Sequence, residues 1–275
     1  MRYGTLQDHV GRDKQGAIEA VDELGMDGLE LVIPDGIHGV GPDGMGLQRE
    51  HRPVEHDEIW SPDDRATLVE LADEHGVSLP SICPSFLNMR AGLTSADPEE
   101  RIAVRERLSD LIVAAEDIGA AVILVPFFMD AEIESTEQRE RVAEEIAALG
   151  DEAGTAGVTL AIENTLDATA NRELLDAIDH PAAAIYYDVA NVTSFGYDPA
   201  TELRELGDAV AQIHFKDGHG GGSDAMLGEG SVDFDGVAGA IDDIGYDDWI
   251  VIETKYDDPI DSMRQNFEFA RTLVE

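Results

Sequence analysis

The sequence predicts an α/β fold, a single (β/α)8 TIM barrel. Short apolar segments alternate with segments of helical periodicity along the chain, and eight such strand-plus-helix units can be counted. The length of 275 residues suits one barrel. Polar residues stand at the carboxyl ends of the late strand segments, the end of a barrel that carries the active-site loops. A doubly wound open sheet is the alternative, but no glycine-rich nucleotide-binding motif follows the first strand.

The eight predicted strands are mostly short, continuous apolar runs, as expected for strands that are buried on both faces of a parallel sheet. They are Arg2–Leu6, Gly28–Ile33, Val77–Cys83, Ala121–Phe127, Thr159–Glu163, Ala183–Asp188, Val210–Lys216 and Trp249–Lys255. No linker interrupts the series. Residues 1–275 are therefore expected to form one domain.

Helical segments fill the gaps between these strands. Apolar residues recur at helical spacing in two stretches, Ala17, Ala20, Val21 and Leu24, then Leu108, Leu111, Ile112, Ala115 and Ile118. Four helix starts are marked by a capping residue before a proline: Ser61-Pro62, Asp97-Pro98, Asp198-Pro199 and Asp258-Pro259. Asp97 with Glu100 resembles a capping box, and Gly25, Gly76 and Gly245 are placed as C-terminal caps.

One long insertion follows the second strand, from Pro34 to Trp60. It is rich in glycine and proline up to Gly46 and contains His38, His51 and His56. A loop of this length inside a compact domain is usually functional, so we expect a lid over the site. A surface loop without a role in function is the alternative.

The composition is strongly acidic. The chain carries 59 Asp and Glu against 18 Lys and Arg, a formal net charge of −41. Such a surface repels phosphates and anionic lipid, so nucleic acid and membranes are poor partners. The acid is spread along the whole chain, which is typical of a halophile with a salt-rich cytoplasm, where counter-ions screen the repulsion.

Cysteine content and hydropathy indicate the compartment. Cys83 is the only cysteine, so no intrachain disulfide can form and a reducing environment is expected. The N-terminus lacks the long apolar core of a signal peptide, and no run approaches membrane-spanning length. We expect a cytoplasmic protein, and a homo-oligomer is left open.

Four residues that suit a divalent metal end or interrupt four successive strand segments: Glu163, Asp188, His214 and Glu253. In an apolar run such groups are costly unless they are paired or metal-bound. A salt bridge would explain any one of them alone, but four with the same placement predict one metal site. Three carboxylates and one imidazole suit Mn²⁺, Mg²⁺ or Co²⁺ better than structural zinc, and Mn²⁺ is favoured.

The alternation of side chains along a strand supports this interpretation. In each strand the polar residues share one face, and bulky aliphatic residues occupy the other. The faces with polar residues are Thr159, Ala161 and Glu163, then Gln212, His214 and Lys216, then Trp249, Val251, Glu253 and Lys255. Since the aliphatic residues suit packing against helices, the polar residues are predicted to line the barrel interior near its mouth.

Several motifs resemble those of the sugar isomerases and epimerases with a xylose isomerase-like barrel. They are AIEN at 161–164, YYDVANV at 186–192, QIHFKD at 212–217, LGEGSVDF at 227–234 and VIETK at 251–255. The group contains D-tagatose 3-epimerase, the L-ribulose-5-phosphate and L-xylulose-5-phosphate 3-epimerases, and hexulose-phosphate isomerase-like proteins. The resemblance is strong from Val158 to Lys255. It implies that Glu163, Asp188, His214 and Glu253 hold one metal, and that Glu163 and Glu253 are the catalytic proton-transferring pair.

The chain departs from the tagatose epimerase pattern at Asn191, where those enzymes have a substrate-binding histidine three residues after the metal aspartate. The DVAN and HFKD motifs are more similar to the phosphopentose epimerase and hexulose-phosphate branches. That similarity favours a phosphorylated substrate, which needs cationic or amide partners. Arg90 is placed for this role, although a surface arginine is an equal alternative, so phosphorylation of the substrate stays open.

The chemistry that these residues allow agrees with the resemblance. A divalent metal with open positions can chelate a ketose and stabilise the enediolate formed when a neighbouring C–H loses its proton. A carboxylate oxygen that is free of the metal can act as general base. Two carboxylates on opposite sides of the sugar would invert a centre, whereas one base serving both carbons would isomerise a ketose to an aldose. We expect an epimerase or isomerase of a sugar or sugar phosphate, with 3-epimerisation favoured.

Further residues are candidates for contact with the substrate: Asn191, Lys216, Glu229, Lys255, Arg90 and Glu30. A structural ion pair is the alternative for the two lysines and for Glu30. Asn164, beside the metal glutamate, is expected to support the metal ligands. Four histidines, His9, His75, His180 and His219, have no identifiable partner and are expected to be solvated.

Other functions fit the same barrel less well. An inosose-type dehydratase also begins from a metal-bound enediolate and would release water. A non-catalytic sugar-binding module would not need the two proton-transfer candidates. An AP endonuclease needs several more histidine ligands, and Asn191 stands where such enzymes place one; the net charge of −41 also opposes DNA.

Overall fold

Eight parallel strands close into a barrel in sequence order, which confirms the predicted fold. The computed structural model describes residues 1–11, 13–33, 57–219, 224–254 and 258–274. The strands are β1 (Arg2–Leu6), β2 (Gly28–Val32), β3 (Ser81–Cys83), β4 (Val122–Phe127), β5 (Thr159–Asn164), β6 (Ala183–Asp188), β7 (Val210–Phe215) and β8 (Trp249–Ile252). The barrel closes where β1 pairs with β8, with Thr5 beside Ile252.

Helices connect the strands on the outside of the barrel, as right-handed crossovers require. Within the described ranges they are α1 (Lys14–Leu24), α2 (Pro62–His75), α3 (Pro98–Ile118), α4 (Thr136–Ala156), α5 (Ala168–Ile178), α6 (Val189–Ser194), α7 (Pro199–Leu206), α8 (Phe234–Ile244) and α9 (Pro259–Val274). No helix in these ranges combines the length and hydropathy needed to cross a bilayer.

The predicted helix caps form. Backbone N–H groups of the first turns donate to the side chains of Ser61, Asp97, Asp198 and Asp258. Gly25, Gly76 and Gly245 end helices in the left-handed region, at φ 71°, 67° and 66°. The capping box at Asp97 is wrong. Glu100 instead accepts the N–H of Gly92 at 3.3 Å, and the N–H of Asp97 donates to Ser95 at 3.1 Å.

Side chains alternate between two cores. The outer core, between strands and helices, includes Leu160 and Ile162 of β5 and Ile213 and Phe215 of β7. A small apolar cluster inside the barrel consists of Val122, Leu124, Ala161 and Tyr186. The predicted division of faces is therefore confirmed for these strands, and the polar residues of β5 and β7 point inward.

Six strands differ from the predicted limits, four of them by a single residue and β3 and β8 by more. β3 begins at Ser81 because Pro80, just before it, has no N–H to donate to a ladder. β8 ends at Ile252, although the N–H of Glu253 still donates to Phe215 O at 2.9 Å. Residues 34–56 of the predicted lid lie outside the described residues.

Candidate active site

Three predicted metal ligands meet at the carboxyl ends of β5, β6 and β7. Within the described parts of the chain, Glu163, Asp188 and His214 form a group whose ligand atoms all lie within 4.8 Å of one another. All three side chains are buried. The register explains the meeting, because Asp188 and His214 are direct partners across β6 and β7.

Asp188 is oriented by the helix that begins after it. Its Oδ1 caps α6, accepting the N–H groups of Ala190 at 2.8 Å and Asn191 at 2.7 Å. Its Oδ2 is buried and has no hydrogen-bond partner. One carboxylate oxygen is thus held by the backbone, and the other is left for the site.

His214 is oriented by Glu30 from inside the barrel. Its Nε2 lies 3.0 Å from Glu30 Oε1. Because a carboxylate accepts hydrogen bonds, Nε2 carries the hydrogen, and Nδ1 faces the site. Nδ1 is buried and makes no hydrogen bond, although Glu253 Oε2 lies 3.0 Å away. Burial by itself would lower the pKa of His214, but the carboxylates of Glu30 and Glu253 raise it well above its ordinary value.

Glu30 is fully buried, and a set of polar side chains surrounds it. Its Oε2 accepts hydrogen bonds from Ser81 Oγ and, at 2.7 Å, from Tyr186 Oη. Gln212 Nε2 donates to both hydroxyls at 2.8 Å. The Tyr186 ring also packs on His214, with 4.4 Å between ring centroids. The partners of Glu30 are therefore protein groups below the mouth of the barrel.

Lys216 and Glu253 form a charged pair beside the three ligands. Lys216 Nζ lies 3.2 Å from Glu253 Oε1, 3.4 Å from Asp188 Oδ2 and 3.3 Å from Asn191 Oδ1. Burial would raise the pKa of Glu253, but Lys216 and His214 hold it well below its usual range. Burial would likewise lower the pKa of Lys216, and the carboxylates of Asp188 and Glu253 raise it instead.

Glu163 has the opposite electrostatic environment. Burial, together with the charge of Asp188, raises the pKa of Glu163 from 4.5 to about 8. Asn191 Nδ2 donates to Glu163 Oε1 at 2.8 Å. The site therefore holds one carboxyl group that keeps its proton near neutral pH and one, Glu253, that is ionised.

The residues fit a divalent cation. Two buried ligand atoms, Asp188 Oδ2 and His214 Nδ1, lack hydrogen-bond partners, and their compensation comes from the charges of Lys216 at 3.4 Å and Glu253 at 3.0 Å, which leaves their lone pairs available to a cation. The second nitrogen of the histidine is held by a carboxylate, the usual arrangement around a metal-bound histidine. Carboxylate oxygens with one imidazole are ligands for a hard or borderline divalent metal.

Comparison with known proteins identifies the family. The sequence profile of the xylose isomerase-like TIM barrel matches residues 18–273. The chain belongs to this family. The resemblance found in the sequence motifs is thereby confirmed.

Individual relatives of the xylose isomerase-like chain are epimerases by name. An Escherichia coli protein provisionally named L-ribulose-5-phosphate 3-epimerase SgbU is 32% identical over 207 residues, covering 70% of this chain and 72% of the relative. The 2-epi-5-epi-valiolone 7-phosphate 2-epimerase of an Actinoplanes species is 30% identical over 218 residues, covering 79% and 73%. The structure of D-psicose 3-epimerase with D-tagatose from Clostridium cellulolyticum covers 100% of both chains, with 18% identity and a TM-score of 0.79. That structure shares the fold.

The other predicted substrate contacts have different environments in this xylose isomerase-like barrel. Asn191 lies between Glu163 and Lys216, as described above. Arg90 is exposed after a short 3₁₀ helix that follows β3, and Glu229 is exposed in the loop after β7. Lys255 lies outside the described residues. Asn164 contacts Asn171 and the N–H of Leu166, both at 2.8 Å.

The four remaining histidines were expected to be solvated, which is wrong for the buried His9 and confirmed for the exposed His219. Each has a carboxylate oxygen close by: His9 with Asp8 at 2.8 Å, His75 with Asp22 at 2.7 Å, His180 with Asp151 at 3.5 Å and His219 with Asp224 at 3.5 Å. His9 is only 8% exposed and follows β1 at the same end of the barrel as the site. Its charge adds to the effect that lowers the pKa of Glu253.

Ser81 and Tyr186 also contact Glu30, although neither is among the predicted site residues. Alternation along β6 could have indicated Tyr186, because residue 186 shares a face with the predicted ligand Asp188. Nothing local in the sequence indicates that Ser81 contacts Glu30, because the two residues lie on different strands.

Proposed function

We propose that this protein is a divalent-metal-dependent epimerase of a ketose or ketose phosphate, acting at carbon 3 through an enediolate. The observation that carries the proposal is the buried group of Glu163, Asp188 and His214, with Glu253 Oε2 3.0 Å from His214 Nδ1. The pKa of Glu163 is raised to about 8, and that of Glu253 is held well below its usual range. Two acidic groups whose environments push their pKa values apart are suited to act as acid and base.

Their positions fit removal and return of a proton on opposite faces. Glu163 lies one residue before the end of β5 and Glu253 follows β8, while Asp188 and His214 occupy the strands between them. Ionised Glu253 would take the proton from carbon 3. Protonated Glu163 would then deliver a proton to the other face of the same carbon, and the reverse reaction would exchange the two roles.

Glu163, Asp188, His214 and Glu253 would hold the metal, and Mn²⁺ is the ion we favour, with Mg²⁺ or Co²⁺ as alternatives. When bound, such a metal would polarise the carbonyl group and lower the energy of the enediolate. Each glutamate has two oxygens, so one can face the metal while the other carries the transferred proton. Lys216 and Asn191 would contact oxygens of the sugar.

The relatives support both free and phosphorylated substrates. The names of the two curated relatives include a phosphorylated pentulose and a phosphorylated cyclitol, while the structural neighbour binds free D-tagatose. Two of the predicted cationic contacts lie in the described residues. Lys216 is paired with the carboxylates of Asp188 and Glu253, whereas Arg90 is exposed. We therefore propose Arg90 as the phosphate contact, to be tested by comparing each ketose with its phosphate.

The test is turnover of a panel of free and phosphorylated ketoses with Mn²⁺ in D₂O. We expect an epimer carrying deuterium at the inverted carbon. Glu163→Gln and Glu253→Gln should each nearly stop turnover, whereas Glu268→Gln, an exposed position on α9, should not. An aldose labelled at carbon 1 or 2 would identify an aldose–ketose isomerase instead, and loss of water would identify a dehydratase. Turnover of both active-site variants at the wild-type rate would end the proposal.

A further inference from the structure

The segment Leu227–Val232, in the loop after β7, is fastened to two strand ends by buried polar side chains. We propose that Asp217 and Asn266 form a clamp on this segment, and that through it they position Lys216 and Glu253. We name this pair of residues the loop clamp. The inference rests on the proposed function, because Lys216 and Glu253 have their roles there.

Asp217 is the first half of the loop clamp. It is fully buried, and its carboxylate accepts four backbone N–H groups. Oδ1 accepts from Gly218 at 2.9 Å and Val232 at 3.1 Å, and Oδ2 accepts from Gly228 at 3.0 Å and Gly230 at 2.9 Å. In the part of the chain that the structure describes, no cation pairs with this carboxylate. Its charge is balanced by backbone dipoles alone.

The close approach explains a glycine in the LGEG motif. A Cβ atom on Gly230 would lie 2.2 Å from Asp217 Oδ1 and 2.6 Å from the backbone nitrogen of Gly218. The N–H of Ser231 also donates to Gly218 O at 3.0 Å. Gly218, at the start of the loop, and Val232, near its end, therefore both donate to the Asp217 carboxylate, which joins the two ends of the loop.

Asn266, on α9, is the second half. It is 1% exposed, and its Oδ1 accepts the N–H of Leu227 at 3.0 Å. Its Nδ2 donates to Thr254 Oγ1. Thr254 directly follows Glu253, so Asn266 links the same loop segment to the end of β8.

The loop segment is attached at Asp217 and, through Asn266, at Thr254, and each of these two residues is adjacent in sequence to one member of the charged pair of the site. Asp217 directly follows Lys216, and Thr254 directly follows Glu253. Lys216 Nζ lies 3.2 Å from Glu253 Oε1. The N–H of Glu253 donates to Phe215 O at 2.9 Å, which joins the two strand ends. Because both ends are attached to one loop segment, loosening that segment would let Lys216 and Glu253 shift relative to each other. Asp217 and Asn266 are therefore positioning residues, which act through the pair.

The experiment compares Asp217→Asn and Thr254→Val with wild type by amide hydrogen exchange. Asn keeps the size of Asp217 but turns an NH₂ group toward two of the four N–H donors. Exchange of the loop amides should therefore accelerate at least about tenfold, the factor for roughly 1.4 kcal/mol of lost hydrogen bonding. Thr254→Val, which is isosteric, should accelerate exchange at Leu227. The amide of Glu253 should exchange faster in both variants.

Two matched controls are available, Asp235→Asn at the start of α8 and Gln265→Leu beside Asn266 on α9. Both side chains are exposed, and both variants should exchange like wild type at these amides. With a substrate that wild type converts, Asp217→Asn should lower kcat about tenfold, because the proton-transfer group Glu253 is displaced, and it should also raise KM, because Lys216 contacts the substrate.

The outcomes separate this inference from the proposed function. Unchanged exchange at Gly228, Gly230 and Glu253 in Asp217→Asn would overturn the clamp. Faster loop exchange with an unchanged Glu253 amide and unchanged kcat would overturn the positioning role. If no ketose is converted by wild type, the proposed function fails, and the Glu253 amide still decides whether the clamp holds that strand end.

Discussion

Replacing Glu163 by glutamine should stabilise the metal-free protein at alkaline pH. Burial and the neighbouring charge of Asp188 raise the pKa of Glu163 to about 8. Glutamine has the same shape, and its carbonyl oxygen can still accept the hydrogen bond that Asn191 Nδ2 donates at 2.8 Å. The substitution therefore removes the titration while it keeps the packing and this contact.

The magnitude follows from the two pKa values. In the unfolded chain Glu163 titrates near 4.5, and in the folded chain near 8. Between these values the folded state holds a proton that the unfolded state has lost, so the free energy of unfolding falls as the pH rises. Each pKa unit is worth about 1.4 kcal/mol, which makes the loss from this group roughly 3 kcal/mol between pH 5 and pH 8. The loss is nearly absent below pH 4.5 and complete above pH 8.

The assay is urea unfolding of wild type and Glu163→Gln at pH 5 and pH 8, with chelator and molar KCl. The variant should be more stable by about 1 kcal/mol at pH 5 and by roughly 4 kcal/mol at pH 8, because the loss in wild type accumulates from pH 4.5 upward. Glu145→Gln is the matched control. Glu145 is also buried, but it is paired with Arg101 and Arg105, so its replacement should destabilise. Equal pH dependence of wild type and Glu163→Gln would refute the reasoning.

Three further results are expected. Glu30→Gln should weaken Mn²⁺ binding by about 10- to 100-fold in calorimetric titration, because the carboxylate that orients His214 is lost. His214→Ala should weaken Mn²⁺ binding more, with the fold retained. An Mn²⁺ affinity of His214→Ala equal to that of wild type would contradict the assignment of His214 as a ligand. With 59 acidic and 18 basic residues, the melting temperature should rise markedly from dilute buffer to molar KCl, and a salt-independent melt would show local compensation of the charge. Asp97→Ala should cost about 1 kcal/mol in denaturant unfolding, because the carboxylate that caps α3 is removed, whereas Asp110→Ala on the exposed face of α3 should cost much less.

Much of the fold was determined by local sequence. Strand and helix periodicity, a proline after four capping residues and a glycine at several helix ends depend on backbone geometry within a few residues, which a single sequence displays. The capping box predicted at Asp97 was wrong because its second residue contacts a group outside the local segment. Glu100 had another partner, Gly92, eight residues away in a loop that local patterns do not describe.

The candidate ligands were also visible in the sequence. Glu163, Asp188 and His214 each interrupt or end an apolar run, and the parallel arrangement of strands brings such ends to one edge. Their meeting within 4.8 Å needed the register of the barrel, in which Asp188 and His214 are partners. The sequence could propose this group, but it could not give the distances.

Only the tertiary structure decided which side chains control those ligands. Glu30 contacts Tyr186 across 156 residues and His214 across 184, and both contacts exist because the barrel closes around a shared interior. The opposite pKa shifts of the two glutamates likewise depend on tertiary position: burial and Asp188 raise the pKa of Glu163, whereas Lys216 and His214 outweigh burial and lower that of Glu253. Contacts between residues so far apart in the chain depend on barrel closure and on strand register, and these are properties of the whole fold rather than of any segment.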